Sequence, residues 1–251
     1  MSRERPTSPN GYEESMKVTV AIPCYKQAEY LPDAIESALN QTYKNIEVIV
    51  VNDGSPDYTS EIAKKYPVKL IEQVNKGLAS ARNSAIMAMR GQYFLPLDAD
   101  DILLEDCVKE LVRVAKATQA DVIAPSLKTF GTSSETVTLM ASPTIDDFRV
   151  GNRIGYFSMI KRSALQEVGG YSPRMDALGG WEDYHLWFDL LTRGKKIVTI
   201  PQPLVLYRTK TDSMWQDSLK HSKELWGQIH KDFPHILPKD LAKENTIHGQ
   251  N

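Results

Sequence analysis

Asp98, Asp100 and Asp101 place three carboxylates within four positions, directly behind the apolar stretch Leu95-Pro96-Leu97. Like charges this close repel unless a cation or solvent separates them. Oxygen-only ligands of this kind suit a hard cation such as Mg²⁺ or Mn²⁺, which can in turn hold a diphosphate. The same residues would also serve as a solvated acidic loop capping the next helix. A second group, Asn52-Asp53-Gly54-Ser55, follows another apolar run. Its carboxylate could accept hydrogen bonds from a nucleobase or ribose, or the segment could be a turn that needs Asn, Asp and Gly for its backbone angles. In Gly180-Trp181-Glu182-Asp183 an acidic pair opens a helical pattern. The helix dipole favours carboxylates there, and one of them could act as a general base. Finally, Asn75-Lys76-Gly77 leads to Arg82. A glycine at a helix start beside basic side chains could hold phosphate or could be an ordinary helix with solvated charges.

The elements that must position these residues alternate between strand and helix. Val18–Ile22, Ile46–Val51, Val68–Val74, Tyr93–Leu97 and Asp121–Pro125 read as short buried strands. Between them, helical spacing runs over Tyr30–Asn40, Asp57–Tyr66, Gly77–Arg90 and Glu105–Thr118, with Asp57 a plausible N-cap. Such alternation predicts right-handed βαβ units and a mostly parallel sheet flanked by helices. Ligands then bind beyond the carboxyl ends of the strands, where the acidic groups fall. Beyond Gly131 the pattern weakens until Gly151. Ile154–Ile160 reads as a strand, Lys161–Val168 and Glu182–Thr192 as helices, and Ile197–Ile200 and Leu204–Tyr207 as strand pieces. Ser213–Lys231 has the apolar stripe of an amphipathic helix, including Leu219, Leu225, Trp226 and Ile229.

Composition narrows the function classes. The chain has 251 residues, 41% hydrophobic and 25% charged, enough for one sizeable core and unlike a disordered chain. A net charge of −2 gives no overall field to attract nucleic acid or an anionic membrane. Cys24 and Cys107 lie in apolar contexts without a partner at metal-ligand spacing, which predicts buried thiols in a reducing, cytoplasmic setting. No apolar run approaches the ~20 residues of a membrane span. Residues 1–15 are polar and carry Pro6, Pro9 and Gly11, so a disordered tail is expected before Met16.

Taken together, the segments Val20–Tyr25, Ala38–Tyr43, Glu47–Ser55, Asn75–Asn83, Leu97–Asp101, Gly170-Tyr171 and Trp181–Asp183 resemble the family 2 glycosyltransferases. The resemblance spans about residues 17 to 210 and rests on the order and spacing of the motifs. It implies a GT-A fold over residues 16–212, with a donor-binding half at 16–101 and an acceptor half at 102–212. Residues 213–251 would be a C-terminal helix and tail. It implies transfer of a single sugar from a nucleoside-diphosphate sugar, most simply a UDP-sugar, with inversion. Pro23, Tyr25 and Asp53 would form the base and ribose pocket. Lys76 and Arg82 would support the diphosphate or the acidic loop. Asp98-Ala99-Asp100 matches the family's DxD motif, with Asp98 toward the ribose or the metal's water shell and Asp100 on Mn²⁺ or Mg²⁺. Asp183 matches the general base. Trp181, Glu182, Tyr207 and Arg208 would lie on the acceptor side.

The chain lacks the QxxRW motif and membrane helices of polymerising relatives, which favours single transfer. After Tyr207-Arg208 it reads Thr209-Lys210-Thr211, without the late histidine of many relatives, so a second protein ligand for the metal is not evident. The default acceptor is a glycan or a lipid-linked sugar, with a protein or a modified nucleic-acid base as alternatives. Lys161-Arg162, Arg193-Lys195-Lys196 and Arg208-Lys210 could meet an anionic acceptor or be solvated surface. A catalytically degenerate nucleotide-sugar-binding domain is the competing reading. A nucleotidyltransferase is not, because Pro23-Cys24-Tyr25-Lys26-Gln27 replaces the glycine-rich loop such enzymes need after the first strand.

Overall fold

The computed structural model describes residues 16–210 and 218–235. The expected N-terminal tail, the start of the Ser213–Lys231 helix and the end of the C-terminal tail lie outside them. The first strand, β1 (Val18–Cys24), is buried along its whole length. It pairs in parallel with β2 (Ile46–Asp53) and β4 (Tyr93–Pro96), and β2 pairs in parallel with β3 (Lys69–Gln73). Helices α1 (Leu31–Leu39), α2 (Thr59–Ala63) and α3 (Leu78–Ala88) form the crossovers. Side chains alternate across each strand. Val18, Val20 and Ile22 join one core with Leu31 and Ile35 of α1. Ala21, Ile49 and Val51 join a second core with Ala79, Ala81 and Ala85 of α3. Burial on both faces explains why these strands read as continuous apolar runs.

Beyond β4 short antiparallel pairings join the mostly parallel sheet and make it mixed. The strand order is β3-β2-β1-β4 followed by β8 (Met159–Lys161), β6 (Val122–Gly131), β9 (Ile197–Thr209) and β5 (Ile102–Leu103). Strand β5 (Ile102–Leu103) is followed by helix α4 (Cys107–Thr118) and β6 (Val122–Gly131), against which the short β7 (Thr136–Val137) pairs antiparallel. After α5 (Ile145–Phe148), β8 (Met159–Lys161) slots antiparallel between β4 and β6. The strand expected at Ile154–Ile160 is thus confined to its end. Ahead of it the Ser158 hydroxyl donates to the Gly155 carbonyl across a turn.

Helices α6 (Arg162–Val168), α7 (Pro173–Ala177) and α8 (Glu182–Thr192) lead to β9 (Ile197–Thr209). The two strand pieces expected there are one bulged strand, parallel to β6, with the register shifting where Pro201 and Pro203 withhold ladder donors. Strand β9 also pairs antiparallel with β5, which ties the end of the acidic segment to Val205-Leu206 and carries Tyr207 and Arg208 alongside it. Helix α9 (Ser222–Asp232) packs Leu225 and Ile229 into the second core. No helix among the described residues is long and apolar enough to cross a membrane.

Candidate active site

Because β1, β2 and β4 are parallel, Pro23-Cys24, Asp53 and Leu97–Asp101 emerge from the same edge of the sheet. Behind them sits Arg82 of α3, 1% exposed. Its Nη2 donates to Asp98 Oδ1 at 2.8 Å and its Nη1 to Glu182 Oε1 at 2.5 Å. The rings of Tyr156 and Tyr171 lie 4.9 and 5.3 Å from the guanidinium carbon. Burial opposes the charge, but Asp98 and Glu182 outweigh it and hold the Arg82 pKa well above its ordinary value. Burial also pushes the Asp98 carboxyl up to about 6, against the pull of Arg82. Arg82 therefore supports the acidic loop and is sealed away from any phosphate.

The rest of the acidic loop is held from β9 and from the turn before β8. Asp101 is buried and accepts the Tyr156 hydroxyl, while the Arg208 N–H donates to Asp101 Oδ1 at 2.7 Å. Burial and the charge of Asp98 lift Asp101 well above the carboxylate range. The Asp98 N–H donates to the Tyr156 oxygen at 3.3 Å. The Arg208 Nε donates to the Asp100 carbonyl at 2.9 Å, with its guanidinium between the rings of Tyr30 and Phe130. Asp100 Oδ2 pairs with Lys210 Nζ at 2.7 Å. Arg82 and Lys210 thus pair with Asp98 and Asp100, while Asp101 is held by a hydroxyl and a backbone N–H.

In front of this loop opens a cleft of about 360 Å³, lined by Pro23, Cys24, Tyr25, Gln27, Asp53, Asn75, Gly77, Leu78, Ala81, Asp98, Asp100, Tyr207, Arg208 and Lys210. Its size and mixed lining suit a small-molecule ligand. Asp53 shapes one wall. Its Oδ1 accepts from Gln73 Nε2 at 2.7 Å and from the Lys76 N–H at 2.9 Å, and its Oδ2 accepts from the Gly77 N–H at 2.9 Å. Gly77 has φ +87°, and an added Cβ would stand 2.7 Å from Asp176 Oδ2. That oxygen accepts the Ala79 N–H at 2.6 Å. The start of α3 is thus already capped by a carboxylate, which favours the ordinary-helix alternative for Asn75-Lys76-Gly77 over a phosphate site. Burial lifts Asp176 to about 6.

The Glu182-Asp183 pair splits as a helix start requires, with successive side chains about 100° apart. Glu182 is buried against Arg82. Asp183 is partly exposed. Its Oδ1 accepts the Tyr184 N–H at 2.7 Å and its Oδ2 accepts Asn152 Nδ2 at 3.1 Å. Burial, and then the charge of Glu182, push its pKa up to about 7, near the optimum for a general base at neutral pH. Trp181, just before the pair, has φ +60°. Such a backbone angle is costly for a bulky residue and needs support. Its indole donates to the Ser218 hydroxyl at 3.1 Å and packs edge-on against Trp226 at 5.8 Å.

Residues 19–169 match the family model for glycosyl transferase family 2. The chain belongs to that family. It is 39% identical over 122 residues to glycosyltransferase GlyA of Streptococcus pneumoniae, an alignment covering 47% of this chain and 18% of GlyA. An uncharacterized glycosyltransferase of Rickettsia felis is 32% identical over 190 residues, 69% of this chain and 31% of that protein. The chain thus spans a third or less of these relatives. The crystal structure of residues 1–349 of S. aureus TarS superposes with a TM-score of 0.72 at 18% identity, covering 88% of this chain and 66% of that one. Mannosyltransferase PcManGT of Pyrobaculum calidifontis, solved with GDP-Man and Mn²⁺, gives 0.66 at 18% identity, covering 88% and 64%. The architecture is that of the GT-A glycosyltransferases.

In this family member the expected donor residues separate into those that reach the cleft and those that do not. Pro23, Tyr25, Asp53, Asp98 and Asp100 line it. Ala99 is fully buried, a spacer that sets the two aspartates apart, and Lys76 is exposed and offers Asp53 only its backbone. Of the expected acceptor-side residues, Tyr207 and Arg208 share the cleft with Asp98 and Asp100, and Glu182 is consumed by Arg82. Asn152, Tyr156 and Asp176 were not singled out from sequence, and no local pattern marks them, while Gln27 and Asn75 stood in quoted segments without a role of their own. Lys210 was grouped with Arg208 as a contact for an anionic acceptor or as solvated surface, and from just past the end of β9 it reaches Asp100 instead.

Among the described residues no three His, Cys, Asp or Glu side chains gather into a metal cage. Asp98 Oδ1 and Asp100 Oδ2 are paired with Arg82 and Lys210, and each carboxylate keeps one further oxygen. This fits a Mg²⁺ or Mn²⁺ that takes one or two carboxylates and completes its shell with substrate phosphates.

Proposed function

We propose that this glycosyltransferase moves a single sugar from a nucleoside-diphosphate sugar to an acceptor hydroxyl, with inversion and with Asp183 as general base. The observation that carries the reading is Arg82, which binds Asp98 of the cleft with one nitrogen and Glu182 of the catalytic helix with another. It consumes Glu182, and among the described residues no cation pairs with the neighbouring carboxylate of Asp183. In the reaction the Asp183 carboxylate takes the acceptor hydroxyl's proton as that oxygen bonds to the anomeric carbon. The bond from that carbon to the diphosphate oxygen breaks, and the electron pair leaves with the nucleoside diphosphate. One displacement inverts the centre. A divalent cation at Asp100 and Asp98 would offset the charge gathering on the leaving group.

Tyr25, Gln27, Asp53 and Asn75 would hold the base and ribose, one an aromatic face and three with polar groups able to read base edges. A uridine nucleotide is the donor we favour, since TarS has been solved with UDP and with UDP-GlcNAc. Two free, buried thiols, Cys24 and Cys107, suit a reducing cytoplasmic compartment. A glycan or lipid-linked sugar is the acceptor class we favour. Calorimetric titration with UDP, with and without Mn²⁺, tests the donor site. Binding should strengthen with Mn²⁺ in the wild type and lose that gain in Asp100→Ala. Equal gain in both proteins would remove Asp100 from the metal site. No UDP binding would overturn the uridine assignment.

A further inference from the structure

We infer that Lys210 is a displaceable counter-ion that closes Asp100 to divalent metal until a nucleoside diphosphate arrives. The inference rests on the donor-site reading above and adds the order in which its components enter.

Lys210 Nζ lies 2.7 Å from Asp100 Oδ2 and 4.0 Å from the centroid of the Tyr30 ring. Its side chain lines the cleft and is 27% exposed, so the ammonium is seated but can leave. The other acidic side chains of the loop have fixed partners. Asp98 has the buried Arg82, and Asp101 has Tyr156 and the Arg208 backbone. Asp100 is held by the exchangeable cation. A metal ion on the same carboxylate would sit within roughly 5 Å of the ammonium. Repulsion between a double and a single positive charge is strong at that distance. Metal and ammonium therefore compete when the cleft holds no anion. A diphosphate changes the balance by supplying negative oxygens to both cations. The metal takes Asp100 together with the phosphates, and the released ammonium turns to a phosphate oxygen. With no metal cage among the described residues, the phosphates are also what completes the ion's shell.

Manganese titration of the nucleotide-free protein, followed by electron paramagnetic resonance and calorimetry, tests this without any turnover. Lys210→Met should bind Mn²⁺ roughly tenfold more tightly than wild type, a change of ~1.4 kcal/mol. Lys210→Gln serves the same purpose should the methionine variant melt early. Lys210→Arg should stay near wild type because the guanidinium keeps the charge on Asp100. Adding Asp100→Asn to Lys210→Met should abolish the gain. With saturating UDP, the advantage of Lys210→Met should vanish or reverse. Superimposable Mn²⁺ isotherms for wild type and Lys210→Met without nucleotide would overturn the inference, as would a gain that survives Asp100→Asn. UDP binding by the wild type in Mn²⁺ is the separate check on the donor-site reading. Its failure would leave the Lys210 comparison measurable by metal alone.

Discussion

Arg82→Met removes the cation that joins the acidic loop to the start of α8 while keeping most of the stem's volume. The side chain is 1% exposed and makes ion pairs of 2.8 and 2.5 Å with Asp98 and Glu182. Removing one partner of a buried pair leaves uncompensated charge and costs about 3–5 kcal/mol. Here two carboxylates lose their partner, so the upper part of that range applies at neutral pH. For a domain of this size each kcal/mol lowers Tm by about 2–4 °C, which gives a fall of roughly 10–20 °C. The loss should depend on pH. Burial already raises Asp98 to about 6, and Arg82 is the chief influence holding it down. Without Arg82 its folded pKa climbs further. A carboxyl raised in the folded state favours folding below its unfolded pKa and loses that benefit as pH rises through the folded value. The deficit should therefore be largest near pH 8 and shrink toward pH 5, where Asp98 becomes neutral. Differential scanning calorimetry of both proteins from pH 5 to 8 measures it. A fall under about 3 °C, or a deficit flat across that range, would refute the assignment of Arg82 as the buried link.

The raised Asp183 pKa predicts that kcat/KM is half-maximal near pH 7, declines tenfold per unit below it and levels off above, because only the carboxylate accepts the proton. An initial-rate profile showing no acidic limb between pH 5 and 7 would contradict this. Gly77→Ala should lose about 1–3 kcal/mol in urea melts, since φ is +87° and the new Cβ would press Asp176 Oδ2 off the start of α3. A neutral substitution there would show that α3 tolerates losing this cap. Asn152→Ala removes a donor to the Asp183 carboxylate, so the acidic limb should move up in pH. An unmoved limb would make that contact incidental.

The parallel half of the sheet was legible because β1, β2 and β4 are buried on both faces and each ends in a contiguous polar motif. Asp53 and Asp98 follow from that arrangement, whereas Pro23 came only with the family resemblance. What holds these residues was not legible, because the partners come from far along the chain. Tyr156 meets Asp101 across 55 positions, and Asp176 reaches Ala79 across 97. Sequence periodicity reports which face of an element is apolar and is silent on which distant element supplies a hydrogen bond. The mixed half was misread for a related reason. A proline-bearing bulge breaks the alternation of β9 at Pro201 and Pro203, so one strand looked like two. The Glu182-Asp183 pair carried its answer only in part. A helix start points the two carboxylates in different directions, but the side chain that claims Glu182 is 100 residues away.

Side-by-side kinetics of Asp183→Asn and Glu182→Gln test the account most directly. Sugar transfer and nucleoside-diphosphate affinity are measured for each against wild type. Asp183→Asn keeps the size of the side chain and much of its hydrogen bonding but cannot take a proton, so turnover should fall by ~10²–10⁴ with diphosphate affinity nearly unchanged. Glu182→Gln keeps a hydrogen bond to Arg82 and should retain most turnover with a lowered melting temperature. A Glu182→Gln protein that is folded and inactive, beside an Asp183→Asn protein turning over at near wild-type rate, would contradict the assignment of the base.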